Sequence, residues 1–285
     1  MIEIVAPGPL CTVQDGGRVG WAHLGVGRSG AADRAAFDLA NRLVGNRAEA
    51  AALECTLGGL RLRIHAAALI AVTGAECDVI VEHGPPIGFR QPTAVPAGAD
   101  VVLRTPARGL RTYVAVRGGI DVVAVMGSRS TDLLNGLGPA PLRERDVLAV
   151  GPDPGTPIPT EFAPPNAGHE WPISIWPGPR KDWFSEAAHL TLVRSPYVVL
   201  PTSNRIGVRL SGVELERTVN RELPSEGIVE GAIQVPNDGQ PLVFLADHPT
   251  TGGYPVIAVV DPTEIGRVAQ ARPGDTLRFR WTRDP

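Results

Sequence analysis

The chain has 285 residues, 43% of them hydrophobic and 20% charged, and its 27 basic against 30 acidic residues leave a formal net charge of -3. That length buries a sizeable core in one large domain or two ordinary ones, and the charge balance excludes composition-driven binding to nucleic acid. Three separated cysteines, Cys11, Cys55 and Cys77, make neither a paired zinc-ligand pattern nor a secreted disulfide framework and read as small core residues. No targeting segment opens the sequence and no window reaches the length of a membrane span, so the expectation is a cytoplasmic protein without a membrane partner. With 33 glycines and 28 prolines but few helix-like stretches, the pattern predicts many short strands joined by tight turns.

Strands are predicted at 2–5 and 10–13, separated by the Pro7, Gly8, Pro9 cluster. Residues 14–30, QDGGRVGWAHLGVGRSG, form a glycine-rich loop decorated by Asp15, Arg18, His23, Arg28 and Ser29. The loop lacks the Lys-Ser/Thr closure of a P-loop and the glycine triplet of a dinucleotide site, so its pattern assigns no nucleotide to it. Residues 31–45 predict a helix with Ser29 near its start and Gly45 and Asn46 as its stop. Its apolar stripe is Phe37, Ala40 and Val44. At about 100° per residue Asp33 falls on the inward face, either as a site residue beside the loop or as a carboxylate that pins it, and Asn41 borders the same face.

Further strands are expected at 60–64, 68–73, 77–81 and 101–103. The turn-plus-strand pattern at 96–103, PAGADVVL, recurs at 272–279, RPGDTLRF, which is compatible with two similar barrel-like units. Residues 111–132 give a strand, a glycine turn and a cluster of Ser128, Arg129, Ser130, Thr131 and Asp132. An arginine between hydroxyls can clamp a carboxylate or phosphoryl oxygen, and a charged surface turn looks similar. The proline-rich span 151–172 interrupts both periodicities and separates an expected unit 1–150 from a second at 173–285.

In the second half, strands are expected at 173–176 and 197–200, with one or two helical turns at 182–188 between them. Ser203, Asn204, Arg205 and Arg209 form another polar group, in which the two arginines share a face if the backbone between them is regular strand, although Gly207 permits a bulge. Functional side chains are densest in 225–255. There an acidic turn at Ser225 and Glu226 leads to strands 232–235, which includes Gln234, and 242–245, which deliver Asp247, His248, Thr250, Thr251 and Tyr254 to a loop containing Gly252 and Gly253. Such a loop suits a small polar ligand or a network of turn hydrogen bonds. A direct Asp247–His248 relay would require the chain to turn between them. Strands at 256–260 and 276–281 close the chain around the helix-like DPTEIGRVAQA. His23, His65, His83, His169, His189 and His248 include no HExxH pair, so no metal site is expected, and GxSxG is absent.

Several of these segments together, TVQDGGRVG, SGAADR, ANRLVGN, LECTLGG, GGIDVVAVMGSRSTD, SNRIGVRLSG and SEGIVEGAIQVPNDGQPLVFLADHPTTGGYP, carry a resemblance. The chain resembles the allophanate hydrolase subunit 2 family, also described as biotin-dependent carboxyltransferase-like proteins, which includes the C-subunit of the bacterial ATP-dependent 5-oxoprolinase. The resemblance implies a mainly β chain with a few short helices, folded as two linked β-barrel-like units of cyclophilin-like topology. It implies an allophanate hydrolase subunit 1-like partner, and in 5-oxoprolinase a TIM-barrel subunit, with ATP and Mg²⁺ entering at the level of the complex to open 5-oxoproline to glutamate. Two alternatives follow from the same family: a carboxyltransferase subunit for urea or another small amide, with biotin as carboxyl carrier, and a regulatory partner of a histidine-kinase inhibitor.

The matching motifs imply catalytic roles for Arg129 and Arg205 in orienting an oxyanion, His248 in proton transfer or hydrogen bonding, and Glu226 in positioning. They imply substrate or interface contacts for Asp15, Arg18, Ser29, Asp33, Ser128, Ser130, Asp132, Asn204, Gln234, Thr251 and Tyr254. Two departures stand out: the usual SGAMD-like segment reads SGAAD here, and the segment after Asp132, LLNGLGPAPLRERD, is short and glycine-poor.

Overall fold

The computed structural model describes residues 1–82, 88–157, 172–219 and 221–282. Within them the protein is mainly β with three short α-helices. It divides into two compact units. The first takes in Met1–Val19, Ser29–Asp132 and the described chain from Gly136 to residue 157; the second takes in Gly20–Arg28, Leu133–Asn135 and the described chain from residue 172 onward. Most of the proline-rich span, with His169, and His83 lie outside the described residues.

In the first unit the chain runs β1 (Ile2–Pro7), β2 (Leu10–Gln14), α1 (Arg34–Leu43), β3 (Ala52–Thr56), β4 (Leu60–Ile64) and β5 (Ala68–Gly74). It continues through β6 (Val79–Val81), β7 (Thr93–Val95), β8 (Asp100–Leu103), β9 (Arg111–Val116), β10 (Ile120–Asp121) and β11 (Val147–Val150). These strands make a six-stranded sheet, β10-β11-β1-β4-β8-β6, and a five-stranded sheet, β2-β3-β9-β5-β7. Period-two alternation decides which residues each sheet buries. Leu53 and Cys55 of β3, Ile70 and Val72 of β5, and Val114 and Val116 of β9 join Ile2, Ile4, Leu62 and Val101 from the other sheet in one core. The intervening residues Ala52, Ala71, Tyr113 and Ala115 face α1, where they pack against Phe37, Ala40 and Val44. Three alanines on that face let the helix seat closely on the sheet.

The helix begins later than its sequence pattern suggested. Residues 31–33 lie outside it, and Asp33, rather than Ser29, is the N-cap, its carboxylate accepting the Ala36 N–H at 3.1 Å. Ser29 cannot take that place because its backbone sits in the left-handed region, at φ 54°. The other end closes as expected: Gly45 follows the C-cap with φ 68°, and the Asn46 N–H reaches back to the Asn41 carbonyl at 2.9 Å. An Asp33→Ala variant should lose about 1 kcal/mol of stability, the usual worth of an N-cap carboxylate. An unshifted urea midpoint would remove that role.

In the second unit the elements are β12 (Ile173–Pro177), α2 (Glu186–Arg194), β13 (Tyr197–Val199), β14 (Gly207–Ser211), β15 (Glu226–Gly227) and β16 (Ala232–Gln234). They continue with β17 (Leu242–Phe244), β18 (Thr251–Gly252), β19 (Val256–Val260), α3 (Ile265–Ala269), β20 (Thr276–Leu277) and β21 (Phe279–Trp281). The helical turns expected at 182–188 resolve into a 3-10 turn at Lys181–Trp183 and then α2, whose start is capped by the Ser185 hydroxyl. The large sheet has the order β20-β13-β14-β17-β16-β19-β12-β21. Its two ends are consecutive in sequence, with Arg278 alone between them, so one stretch bonds β13 through its first half and β12 through its second. The sheet is thereby a near-closed barrel, which leaves few backbone groups without a ladder partner. In the first unit the pairings among the described residues form two sheets.

Candidate functional site

The predicted polar residues fall into two groups, one in each unit. In the first unit Asp15 is the hub. Its Oδ1 accepts the Gly17 N–H at 2.8 Å, the Ser128 hydroxyl at 2.6 Å and the Ser130 hydroxyl at 2.5 Å, while Oδ2 accepts the Arg129 N–H at 2.6 Å. The Ser130 hydroxyl in turn accepts the Asp15 N–H, and the Arg18 guanidinium donates to the Ser130 carbonyl. A type I′-like turn presents these serines, with φ 53° at Met126 and 81° at Gly127 between the bridged Val125 and Ser128. Ser29 donates to the Thr131 carbonyl at 3.1 Å, and Gly30, at φ 97°, packs so tightly that an added Cβ would stand 2.9 Å from the Gly17 nitrogen. The glycine loop and the 128–131 segment are therefore fastened together by one carboxylate. Asp132 is buried, with its N–H on the Leu137 carbonyl.

Arg129 points elsewhere. Its Nε donates to the Val122 carbonyl at 2.9 Å and its NH2 pairs with Asp121 at 3.2 Å, leaving the side chain 38% exposed. It is a surface guanidinium beside the hub and contributes its backbone N–H to it.

A second network beneath residues 31–33 involves residues outside the predicted set. The Glu54 carboxylate, buried on β3, accepts the Ala32 N–H at 2.9 Å and the Tyr113 hydroxyl at 2.7 Å, and Arg111 lies 3.5 Å from its other oxygen. The Tyr113 hydroxyl also accepts the Asp33 N–H at 2.7 Å. Burial and the adjoining Glu54 carboxylate push the Tyr113 phenol well above its ordinary pKa, so it stays a proton donor. The available signal was Glu54 itself, a lone carboxylate inside an apolar strand.

In the second unit Arg205 and Asp247 form a fully buried bidentate pair, with Nε donating to Oδ2 at 3.0 Å and NH2 to Oδ1 at 2.9 Å. Asp247 Oδ2 also accepts the Leu133 N–H at 3.4 Å. Arg205 and Arg209 do not share a face, because Asn204 accepts the N–H groups of Ile206 and Gly207 in a side-chain turn and β14 begins only at Gly207. Arg205 is consequently buried, whereas Arg209 is exposed.

His248 lies one residue beyond Asp247 but turns away from it. Its Nδ1 sits 2.8 Å from the Pro249 carbonyl. A carbonyl only accepts, so Nδ1 carries the proton and the lone pair belongs to Nε2, which has no hydrogen-bond partner among the described residues. Burial lowers the imidazole pKa below its ordinary value, which keeps the ring neutral at pH 7. The Asp247–His248 relay is thus replaced by two separate arrangements, a buried ion pair and a neutral imidazole. Gly27 lies against this turn, where a methyl would stand 2.9 Å from the His248 carbonyl.

The loop after His248 is organised by β15 and β18, which pair Glu226 with Gly252 and Gly227 with Thr251. Glu226 forms a two-point ion pair with Arg180, its Oε2 accepting from Nε at 2.9 Å. Gln234 donates to the Tyr254 carbonyl at 2.9 Å, which brings the buried end of β16 to the same loop. Thr251 is exposed and Tyr254 is 43% exposed. His248, Glu226, Gln234, Thr251 and Tyr254 therefore belong to one loop system, whereas Arg205 supports it from the interior.

The hub in the first unit does not fit a polyphosphate. The N–H groups of Gly17 and Arg129 that would cradle it already serve Asp15, and Ser130 N–H serves the Ser128 hydroxyl at 3.0 Å. Among the described residues no group of three or more His, Cys, Asp or Glu is placed to hold a metal ion. All three cysteines are buried free thiols. No helix among the described residues is long and apolar enough to cross a membrane.

A protein-family model described as carboxyltransferase domain, subdomain A and B, matches residues 24–281. The chain is 40% identical to the C-subunit of 5-oxoprolinase from Escherichia coli, over 98% of this chain and 90% of that protein. It is 34% identical to urea amidolyase of Lachancea kluyveri, over 97% of this chain and 17% of that one. The solved urea amidolyase of K. lactis superposes with a TM-score of 0.90 at 32% identity, covering 98% of this chain and 18% of that one. The chain thus spans less than a fifth of the two amidolyases.

Proposed function

The chain belongs to the carboxyltransferase domain family of subdomains A and B, in the biotin-dependent carboxyltransferase-like group that includes homologues of the 5-oxoprolinase C-subunit, and from that premise we propose that it is one subunit of an ATP-dependent 5-oxoprolinase. Similarity to that C-subunit along nearly the whole length of both proteins favours this reading over the amidolyase one. The observation that carries a chemical role is the neutral His248 imidazole, with its proton fixed on Nδ1 and its Nε2 lone pair free to accept another. Opening a lactam requires water to be deprotonated as it attacks the ring carbonyl, and a positioned neutral imidazole suits that step. Glu226, held by Arg180, and Gln234, held on the Tyr254 carbonyl, keep the loop in place around it.

ATP with Mg²⁺, which would activate the lactam oxygen, belongs in this reading to the assembly, and in this chain the Gly17 N–H of the glycine loop already serves Asp15. The companions are an allophanate hydrolase subunit 1-like protein and a TIM-barrel subunit, and the cyclophilin-like topology implied by the family belongs to the same reading. Purified chain combined with these companions, ATP and 5-oxoproline should yield glutamate and ADP only when all are present. Absence of ring opening at saturating substrate refutes the proposal. The carboxyltransferase alternative is supported by the amidolyase relatives. It would use the same imidazole to accept the amide proton, and transfer of labelled carboxylate from carboxybiotin to urea would replace the first reading with it.

A further inference from the structure

A cavity of about 370 Å³ in the second unit lies beside the His248 loop and is lined by Trp183, Arg217, Arg221, Asn237 and Tyr254 among others. Its scaffold is local. Phe184 bridges to Arg217, the Thr218 N–H donates to the Trp183 carbonyl at 2.9 Å, and the 236–239 turn carries Asn237. Two guanidiniums are positioned there by neutral groups. Arg217 NH2 donates to the Asn237 side-chain oxygen at 2.7 Å, and the Arg221 guanidinium carbon sits 5.5 Å over the Trp183 ring. Neither has a carboxylate partner among the described residues, and Glu222, an exposed lining residue, forms no ion pair with either. Three other arginines of this unit are matched, Arg205 with Asp247, Arg180 with Glu226 and Arg267 with Glu264.

Two oriented guanidiniums that form no ion pair among the described residues, lining a small-molecule-sized cavity, mark a site for an anion. The remaining lining narrows its chemistry. Leu223 and the 43% exposed Tyr254 supply apolar surface that an inorganic anion would leave unused and an organic acid would cover. Gly253 and Tyr254 also join this cavity to the loop that carries Thr251 and Glu226.

We infer that Arg217 and Arg221 bind the carboxylate of a small organic acid in this cavity, so that the chain recognises an acid-bearing lactam or amide rather than a neutral one. The inference rests on the 5-oxoprolinase reading only for the choice of probe. L-5-oxoproline and 2-pyrrolidinone, the same lactam ring without the carboxylate, are titrated into the full-length chain by calorimetry, with inorganic phosphate as a third ligand. The acid should bind, the neutral lactam should bind at least tenfold more weakly, and phosphate should compete only weakly. Arg217→Gln and Arg221→Gln should each weaken the acid about ten- to hundredfold, the range for a lost charge-assisted hydrogen bond. Arg217→Lys keeps the charge without the planar fork and guards against a folding artefact, with circular dichroism checking each variant.

Equal binding of the two lactams, tighter binding of phosphate, no binding of the acid, or arginine variants that bind like the parent would each overturn the inference. The functional reading is decided separately. An assembly that opens 5-oxoproline with an unchanged KM when both arginines are replaced refutes the cavity and keeps the reading. An inactive parent assembly refutes the reading while the titration still decides the cavity.

Discussion

Replacing His248 with alanine should lower the rate of the reconstituted assembly by about 10²–10⁴-fold, the usual contribution of a positioned general base. A loss of packing against Phe244, 6.4 Å away ring to ring, could imitate part of that fall, so the decisive measurement is the pH profile of kcat/KM. The imidazole accepts a proton only when neutral, and burial holds its pKa below the ordinary value of about 6.5. The acid limb of the parent profile should therefore lie below the ordinary imidazole value, whereas the residual activity of the variant should lack this limb. The same shift has a stability consequence with a definite sign. As pH falls from the ordinary value towards the depressed folded one, the unfolded chain takes up a proton that the folded chain refuses, and stability declines across that window. An acid limb of unchanged position in the alanine variant would assign the base elsewhere.

Breaking the Arg205–Asp247 pair should be the most destabilising single change, at about 3–5 kcal/mol for Asp247→Ala or Arg205→Ala, because each strands a buried charge. Side-chain exposures of 1% and 0% leave no water to take over the lost bonds. Asp247→Ala also removes the acceptor of the Leu133 N–H. The double variant Arg205→Ala with Asp247→Ala removes both charges and should cost clearly less than the sum of the two single changes. Urea unfolding of the four proteins gives the coupling. Strict additivity would mean that the two side chains act independently, contrary to the geometry. Since the pair braces the turn that carries His248, the single variants should also lose activity at temperatures where they remain folded.

Much of the fold was legible in the sequence because alternation and punctuation act locally. The hairpin of β16 and β17 around Pro236–Gly239, the strand at 60–64 and the amphipathic 34–43 helix follow from residues within a few positions of one another. Strand β3 was missed because it is short and both its faces are buried, one of them carrying Glu54, a residue that only the opposing Tyr113 and Arg111 make comfortable. The length of α2 was missed for a similar reason: Ser185 restarts a helix after the Phe184–Arg217 bridge has fixed the chain, and nothing in residues 181–186 alone announces that bridge.

The sequence by itself determined the mainly β character, the family and the residues that crowd into the 225–255 loop, since these depend on composition and contiguous motifs. Tertiary structure alone decided what those residues do. It committed Asp15 to four donors, made Asp33 a helix cap, matched Arg205 to Asp247 and left Arg217 and Arg221 lining a cavity with no ion-pair partner among the described residues. Identity fixes what a side chain can donate or accept. Whether that capacity is satisfied internally or left for a ligand depends on partners brought in from distant parts of the chain, and local pattern carries no information about them.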